Sequence, residues 1–302
     1  MNRQGTMANP RGGIEWTHIL GSRTGYTSNP VSGCQHACRW RMPDGNLAIC
    51  YAEATAERFP GARYKKGFGS LGFWPSELEA IRKLKAPAAG IFIDSMSDLF
   101  GKNVPREWID QVIQTIVDCP QHVFFSLTKN ASRLREFTTH HPNPLPAGRG
   151  EGESKNRGLS GAPWPANWLV GISAPPTFMF GKELSLAQQV VWFRRALEFL
   201  RDCPAQRRWV SIEPLSFDVS QIIGQCDTHL DWAVIGAATN GAQEFQPTEK
   251  NLVRALEALN ARNVPVFMKG NLSRGFVKVC GSEWREEFPT VIRSGQLAEE
   301  TK

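Results

Sequence analysis

From residue 90 onward the chain alternates short apolar runs with longer stretches in which apolar residues recur every three or four positions. The short runs are residues 91–93, 123–127, 169–173, 209–212, 232–236 and 264–268. They are apolar at nearly every position, which predicts parallel strands covered on both faces. Between them residues 105–118, 131–138, 185–202, 219–226 and 248–263 read as helices. In the third of these Leu186, Val190, Phe193, Leu197 and Leu200 keep helical spacing, and Ser185 suits the N-cap. An internal echo supports a repeated unit: Asp118-Cys119-Pro120 and Asp202-Cys203-Pro204 each stand where a helix stops before a strand, 84 residues apart. Six strands, with a seventh expected near residues 13–17, predict an α/β fold built as a complete or partial (β/α) barrel. A doubly wound open sheet is the rival.

Residues 140–166 break this rhythm, being rich in proline and glycine and poor in aliphatics. Such a segment buries too little apolar area to offset its ordering entropy and is expected to be a disordered surface insert. The expected organisation is a flexible N-terminus (1–12), one barrel-like domain (13–280) carrying that insert, and a C-terminal tail (281–302). With 41% hydrophobic and 21% charged residues, the composition excludes a disordered or fibrous chain. The 35 Lys and Arg against 29 Asp and Glu give a formal charge of +6, which permits a polyanionic partner without demanding one. No apolar run reaches the roughly 20 residues of a membrane span, and residues 1–13 lack the apolar core of a signal peptide. The expectation is a cytoplasmic protein with no membrane partner.

Seven cysteines in such a protein do not suggest a disulfide framework. Cys119, Cys203, Cys226 and Cys280 are scattered and read as packing thiols, whereas Cys34, Cys38 and Cys50 fall within 17 residues. The cluster sits in a loop leading into a helix at residues 51–58. Three thiolates there can hold three irons of a four-iron, four-sulfur cluster and leave the fourth iron open. His36 lies between the first two cysteines, so a Cys3His zinc site is the alternative metal reading.

The spacing resembles that of the radical S-adenosylmethionine superfamily, C-x3-C-x-aromatic-C, with Trp40 in the aromatic place and residues 41–49 inserted before Cys50. Further motifs are Ile14-Glu-Trp-Thr17, Asn29-Pro-Val-Ser-Gly-Cys34, Cys50-Tyr-Ala-Glu53, Ser95-Met-Ser-Asp-Leu-Phe100, Leu127-Thr-Lys129, Ser211-Ile-Glu-Pro-Leu215 and Trp232-Ala-Val-Ile-Gly236. Together they resemble the three-cysteine phage-protein family of domain of unknown function 5131, which looks like a divergent branch of the radical enzymes. The resemblance covers about residues 14–269 apart from the insert. The chain departs from it in two turns: residues 236–241 lack the carboxylate of a Gly-Gly-Glu-Ser type turn, and only Lys269 remains of a Lys-Gln-Trp-Gly sequence.

The resemblance implies a cytoplasmic iron–sulfur protein of phage or prophage type. In that reading Cys34, Cys38 and Cys50 ligate the cluster, S-adenosylmethionine chelates the open iron, and reduction by an electron donor yields a 5′-deoxyadenosyl radical. The other polar candidates sit just past expected strand ends, which in a (β/α) barrel converge on one mouth. Ser95 and Asp98 are candidates for the methionyl amine or ribose, with Ser173 and Asn240 as further cofactor contacts. Lys129 and Lys269 are candidates for pairing a carboxylate or substrate phosphate, and Glu213 for positioning substrate. The substrate class suggested by charge is nucleic acid or nucleotide. The rival function is a non-enzymatic metal-binding barrel, holding a cluster or zinc, that recruits a protein partner.

Two weaker signals do not carry chemistry. Gly67-Phe-Gly-Ser-Leu-Gly72 matches a dinucleotide fingerprint but lacks the strand before it and the helix after it. Arg63-Tyr-Lys-Lys66 reads as a solvated basic loop.

Overall fold

A computed structural model of the chain describes residues 1–4, 13–18, 25–42, 45–85, 88–139, 164–240 and 243–289. Eight strands form one sheet in chain order: β1 (Asn2–Arg3), β2 (Gly25–Ser28), β3 (Gly90–Ile93), β4 (Val123–Thr128), β5 (Trp168–Ser173), β6 (Arg207–Ile212), β7 (Trp232–Ile235) and β8 (Val266–Met268). Strands β2 to β8 are parallel, and β1 pairs antiparallel with β2. A doubly wound sheet reverses its strand order at a switch point. This sheet does not, so right-handed crossovers put the intervening helices on one side.

Those helices are α1 (Tyr51–Arg58), α2 (Pro75–Arg82), α3 (Arg106–Asp118), α4 (Ala131–Thr139), α5 (Leu186–Asp202), α6 (Ser220–Gln225), α7 (Glu249–Asn260) and α8 (Arg274–Val279). Ser185 caps α5 through a capping box with Gln188, as its position predicts. Cys119 and Cys203 are the C-caps of α3 and α5, where the Asp-Cys-Pro echo places them. Alternate strand residues such as Ile91, Phe124, Val170, Val210 and Ile235 join the helix-side core. The intervening ones, Phe92, Phe125, Leu169, Trp209, Trp232 and Phe267, form a second aromatic core on the other face. Both faces are apolar, which is why the strands read as unbroken runs.

The second core shows how far the sheet curls. Trp16, 3% exposed, lies at its centre, with ring centroids 4.8 Å from Phe92 on β3 and 5.8 Å from Trp232 on β7. Those strands are four spacings apart, about 19 Å in a flat sheet. A single indole can touch both only if the sheet wraps round it. Gly171 permits part of this packing, because a Cβ there would stand 2.6 Å from the Trp209 indole nitrogen.

Among the described residues the sheet does not close into a barrel, because both of its outer edges are already paired. β1 covers β2, and residues 285–287 cover β8 through Met268 N to Arg285 O at 2.8 Å and Glu287 N to Val266 O at 2.9 Å. Capping segments of this kind satisfy the exposed backbone groups of an edge and leave nothing for the opposite strand to join.

The expected first strand at residues 13–17 is a correction. Glu15–His18 is a 3-10 turn that inserts Trp16 into the aromatic core, and the first parallel strand is Gly25–Ser28. Its sequence, Gly-Tyr-Thr-Ser, carries no apolar run to betray it. Residues 2–3 and 285–287, placed by the sequence in a flexible N-terminus and a tail, belong to the sheet edges. Most of the expected insert lies outside the described residues, but Trp164 within it stacks on Trp168 at 4.6 Å. No helix among the described residues is long and apolar enough to cross a membrane.

Candidate functional site

The parallel strands deliver their C-terminal ends to one edge of the sheet, and the loops there carry the candidate residues. The first loop follows β2. Gly33 has φ +84°, and a Cβ there would meet the Ser70 carbonyl oxygen at 2.2 Å, so only glycine lets the 67–72 loop lie against it. Cys34 N then donates to Phe68 O at 2.9 Å. The glycine-rich stretch that resembled a dinucleotide fingerprint therefore braces the first cysteine.

Among the described residues the segment read as an insertion, 41–49, contributes to a short antiparallel ladder. Arg39–Arg41 pairs antiparallel with Leu47–Ile49. At the base of this ladder Cys50 N donates to Cys38 O at 3.2 Å. Eleven residues lie between these cysteines in sequence, yet the chain brings them to adjoining backbone positions. Arg39 fastens the base to α1: it donates to the Cys38 carbonyl at 2.8 Å and holds both Glu53 carboxylate oxygens, at 2.5 and 2.9 Å. Arg39 and Glu53 are only part-buried, and the bidentate geometry gives the pair its value.

The three thiols share one electrostatic neighbourhood. Burial, the Asp98 carboxylate and the other two thiols push the Cys34 thiol up. Burial pushes Cys38 up to about 12, against the pull of Lys129 and with the push of Cys50. Burial alone would lower the Lys129 ammonium, but Cys38, Cys50, Asp98 and Cys34 raise it above its ordinary value. Cys34 and Cys38 are therefore held as neutral thiols, and a bound metal would offset the cost of their thiolate forms. Among the described residues no three His, Cys, Asp or Glu side chains gather round one point as a single ion requires. Thiolates on one zinc stand about 3.8 Å apart, from a 2.3 Å bond and a tetrahedral angle.

Asp98, the residue expected as a cofactor contact, is buried and ringed by donors. It is 5% exposed, and its Oδ2 accepts from His36 Nε2 at 2.7 Å, Lys129 N at 2.9 Å and Thr128 Oγ1 at 3.0 Å, while Oδ1 accepts from Phe100 N at 3.0 Å. Burial alone would raise its carboxyl, but these bonds and the His36 ring outweigh it and hold the group below the usual carboxylate range. Asp98 thus ties the cysteine loop to the end of β4. Ser95 gives its hydroxyl to Asn29 Oδ1 at 3.2 Å, and its carbonyl accepts from the Tyr51 hydroxyl.

Lys129 reaches across β4 to Ser173, Nζ to Oγ at 3.2 Å, and lies 5.8 Å from the centre of the Trp40 ring. Farther round the mouth Lys269 and Glu213 form an ion pair. Beside them Asn271 accepts from Ala237 N at 3.2 Å and donates to Ala237 O at 2.8 Å. It braces the turn in which the chain lacks the carboxylate. Asn240 ends a short strand, Ala238–Asn240, beyond β7. The structure therefore gathers the cysteines with Lys129, Ser173 and Asp98, and Glu213 with Lys269. His36, Trp40, Tyr51 and Asn271 stand beside them; the first three carried a signal, through their place among the cysteines and in Cys50-Tyr-Ala-Glu53, and Asn271 carried none. His36 Nδ1 and Trp40 Nε1 are buried without a hydrogen-bond partner among the described residues.

A family model described as protein of unknown function (DUF5131) matches residues 11–274. No curated protein matches the chain.

Proposed function

The chain belongs to the DUF5131 family, and on that premise we propose that it is a radical S-adenosylmethionine-like enzyme whose Cys34, Cys38 and Cys50 hold a four-iron, four-sulfur cluster. The observation that supports this most is the pairing of Arg39–Arg41 with Leu47–Ile49, which brings Cys50 N onto Cys38 O across the stretch that interrupts the short cysteine spacing in sequence. When bound, such a cluster keeps one iron without a thiolate and supplies one-electron chemistry to a ligand held there.

The chain's own residues set the stage for that ligand. Arg39 and Glu53 hold Cys38 and Cys50 in register. Asp98 fixes His36 and the backbone of Lys129, and so the direction from which the ammonium approaches the thiolates. Lys129 offsets part of their negative charge, and Ser173 holds its amine. Glu213 and Lys269, at the far side of the same mouth, present a carboxylate and an ammonium to polar groups of a cofactor or substrate. The aromatic core around Trp16 closes the sheet's inner face beneath them.

The test is the metal and sulfide content of protein purified without oxygen. The reading expects about four irons and four sulfides per chain, falling severalfold in Cys34→Ser, Cys38→Ser and Cys50→Ser but not in Cys203→Ala. One zinc per chain and no sulfide would overturn it and favour a closed structural site.

A further inference from the structure

Between α4, α5 and the short strands Phe178–Met179 and Lys182–Glu183 lies a cavity of about 690 Å³. Its size falls within the roughly 300–1,000 Å³ of small-molecule sites. Lys129 and Phe180 form the wall between this cavity and the cysteines. Phe180 also borders the cleft at Cys34, and its ring meets the His36 ring edge-on at 4.9 Å. It has φ +54°, an unusual conformation for a bulky residue, held by Phe180 N donating to His36 O at 2.7 Å. The chain thus keeps a 47% exposed aromatic ring at the junction of the two spaces.

The lining has two chemically distinct parts. Val191, Trp192 and Phe199 of α5 and Phe180 make the apolar part. Lys129, Asn130 and Ser132, at the start of α4, and Arg195 make the polar part. Two cations and no carboxylate line the cavity, and Arg195 has no ion pair among the described residues. The first N–H groups of α4 have no intrahelical acceptor and add positive potential at the same end.

We infer that this cavity binds a nucleotide-type ligand, an aromatic base joined to a phosphate. The base lies against the aromatic part, where Trp192 and Phe180 offer ring faces and edges. The phosphate lies between Arg195 and the start of α4, where a charge-assisted bond and the helix end favour an anion. A purely apolar ligand would strand Arg195, and a sugar phosphate would leave the aromatic surface uncovered. The inference gives a ligand class to the space beside the proposed cluster, yet binding there needs no cluster, so the two readings fail separately.

The experiment is calorimetric titration of the full chain with each of the four ribonucleoside 5′-monophosphates, the parent nucleosides, ribose 5-phosphate and a single-stranded oligonucleotide. At least one monophosphate is expected to bind about tenfold more tightly than its nucleoside and than ribose 5-phosphate, the worth of roughly one charge-assisted contact. Competition by the oligonucleotide would identify the source as a nucleic-acid strand, and its absence would identify the free nucleotide. Arg195→Ala and Val191→Glu change exposed positions, so their melting temperatures should match the parent. Arg195→Ala should bring the monophosphate down to its nucleoside, and Val191→Glu should abolish binding. No binding at millimolar concentration, equal binding of ribose 5-phosphate, or unchanged affinity in both variants would overturn the inference. Nucleotide binding by a protein that carries zinc would leave this inference standing and sink only the cluster.

Discussion

Replacing Asp98 with Asn keeps the side chain's volume and removes its charge, and the structure fixes what that costs. Three donors meet Oδ2 and one meets Oδ1. The better amide orientation keeps oxygen toward the three donors and turns its NH2 toward Phe100 N. Phe100 N is then buried without an acceptor, a loss of about 1–3 kcal/mol. The other three bonds change from charge-assisted to neutral and lose roughly half their strength. The total is about 3–5 kcal/mol, the usual cost of breaking a buried charged network. With an unfolding entropy of roughly 2.1 cal/mol/K per residue, this lowers the melting temperature by about 5–8 °C.

The pH dependence gives a second arm. The Asp98 carboxyl titrates below the ordinary range in the folded protein, so its contribution is complete above the unfolded carboxylate value of about 3.9 and is lost as pH falls through the folded value. Urea unfolding of the parent and Asp98→Asn should show a constant gap from pH 6 to 8 that narrows only on acidification below about pH 4. A gap under about 1 kcal/mol at pH 7 would refute the assignment of Asp98 as the tie between loop and sheet. So would a gap that narrows between pH 8 and 6.

Trp16→Ala empties the centre of the aromatic core and should cost about 3–5 kcal/mol in urea unfolding, against less than about 0.5 for the exposed Val279→Ala. A small effect would mean that the sheet does not curl round the indole. Glu53→Gln breaks the bidentate pair with Arg39 at the base of the ladder, and iron per chain should fall while stability changes by no more than about 1 kcal/mol; full iron occupancy would count against the ladder's role. Ser185→Ala removes the capping box of α5 and should cost about 1 kcal/mol in thermal unfolding with iron content unchanged.

The strands β3 to β8 were legible because both of their faces are apolar, so period and burial agree. β2 was not: Thr27 and Ser28 are buried by hydrogen bonding and close packing at the sheet edge, and buried small polar residues leave no hydrophobic trace. The run at Ile14–Thr17 misled for the opposite reason, since Trp16 is apolar to fill the concave face and not to alternate along a strand. Barrel closure was beyond the sequence, because it turns on residues 2–3 and 285–287 occupying the edges, and polar segments two or three residues long carry no periodicity. The three cysteines stood out by spacing alone. The ladder that reunites Cys38 and Cys50 looked like an interruption, since its pairing is local and its strands are only three residues long. Asp98 was visible as a polar residue after a strand. That it faces inward to four donors is a property of tertiary contacts from three separate loops.

A cluster with one open iron at Cys34, Cys38 and Cys50, the reading proposed above, is tested by electron paramagnetic resonance of anaerobically purified, reduced protein, recorded with and without S-adenosylmethionine. The expected spectrum is that of a reduced four-iron cluster whose features shift when S-adenosylmethionine is added. A cluster signal that the compound leaves unchanged would contradict the open iron, and no signal from a protein that holds zinc would contradict the cluster itself.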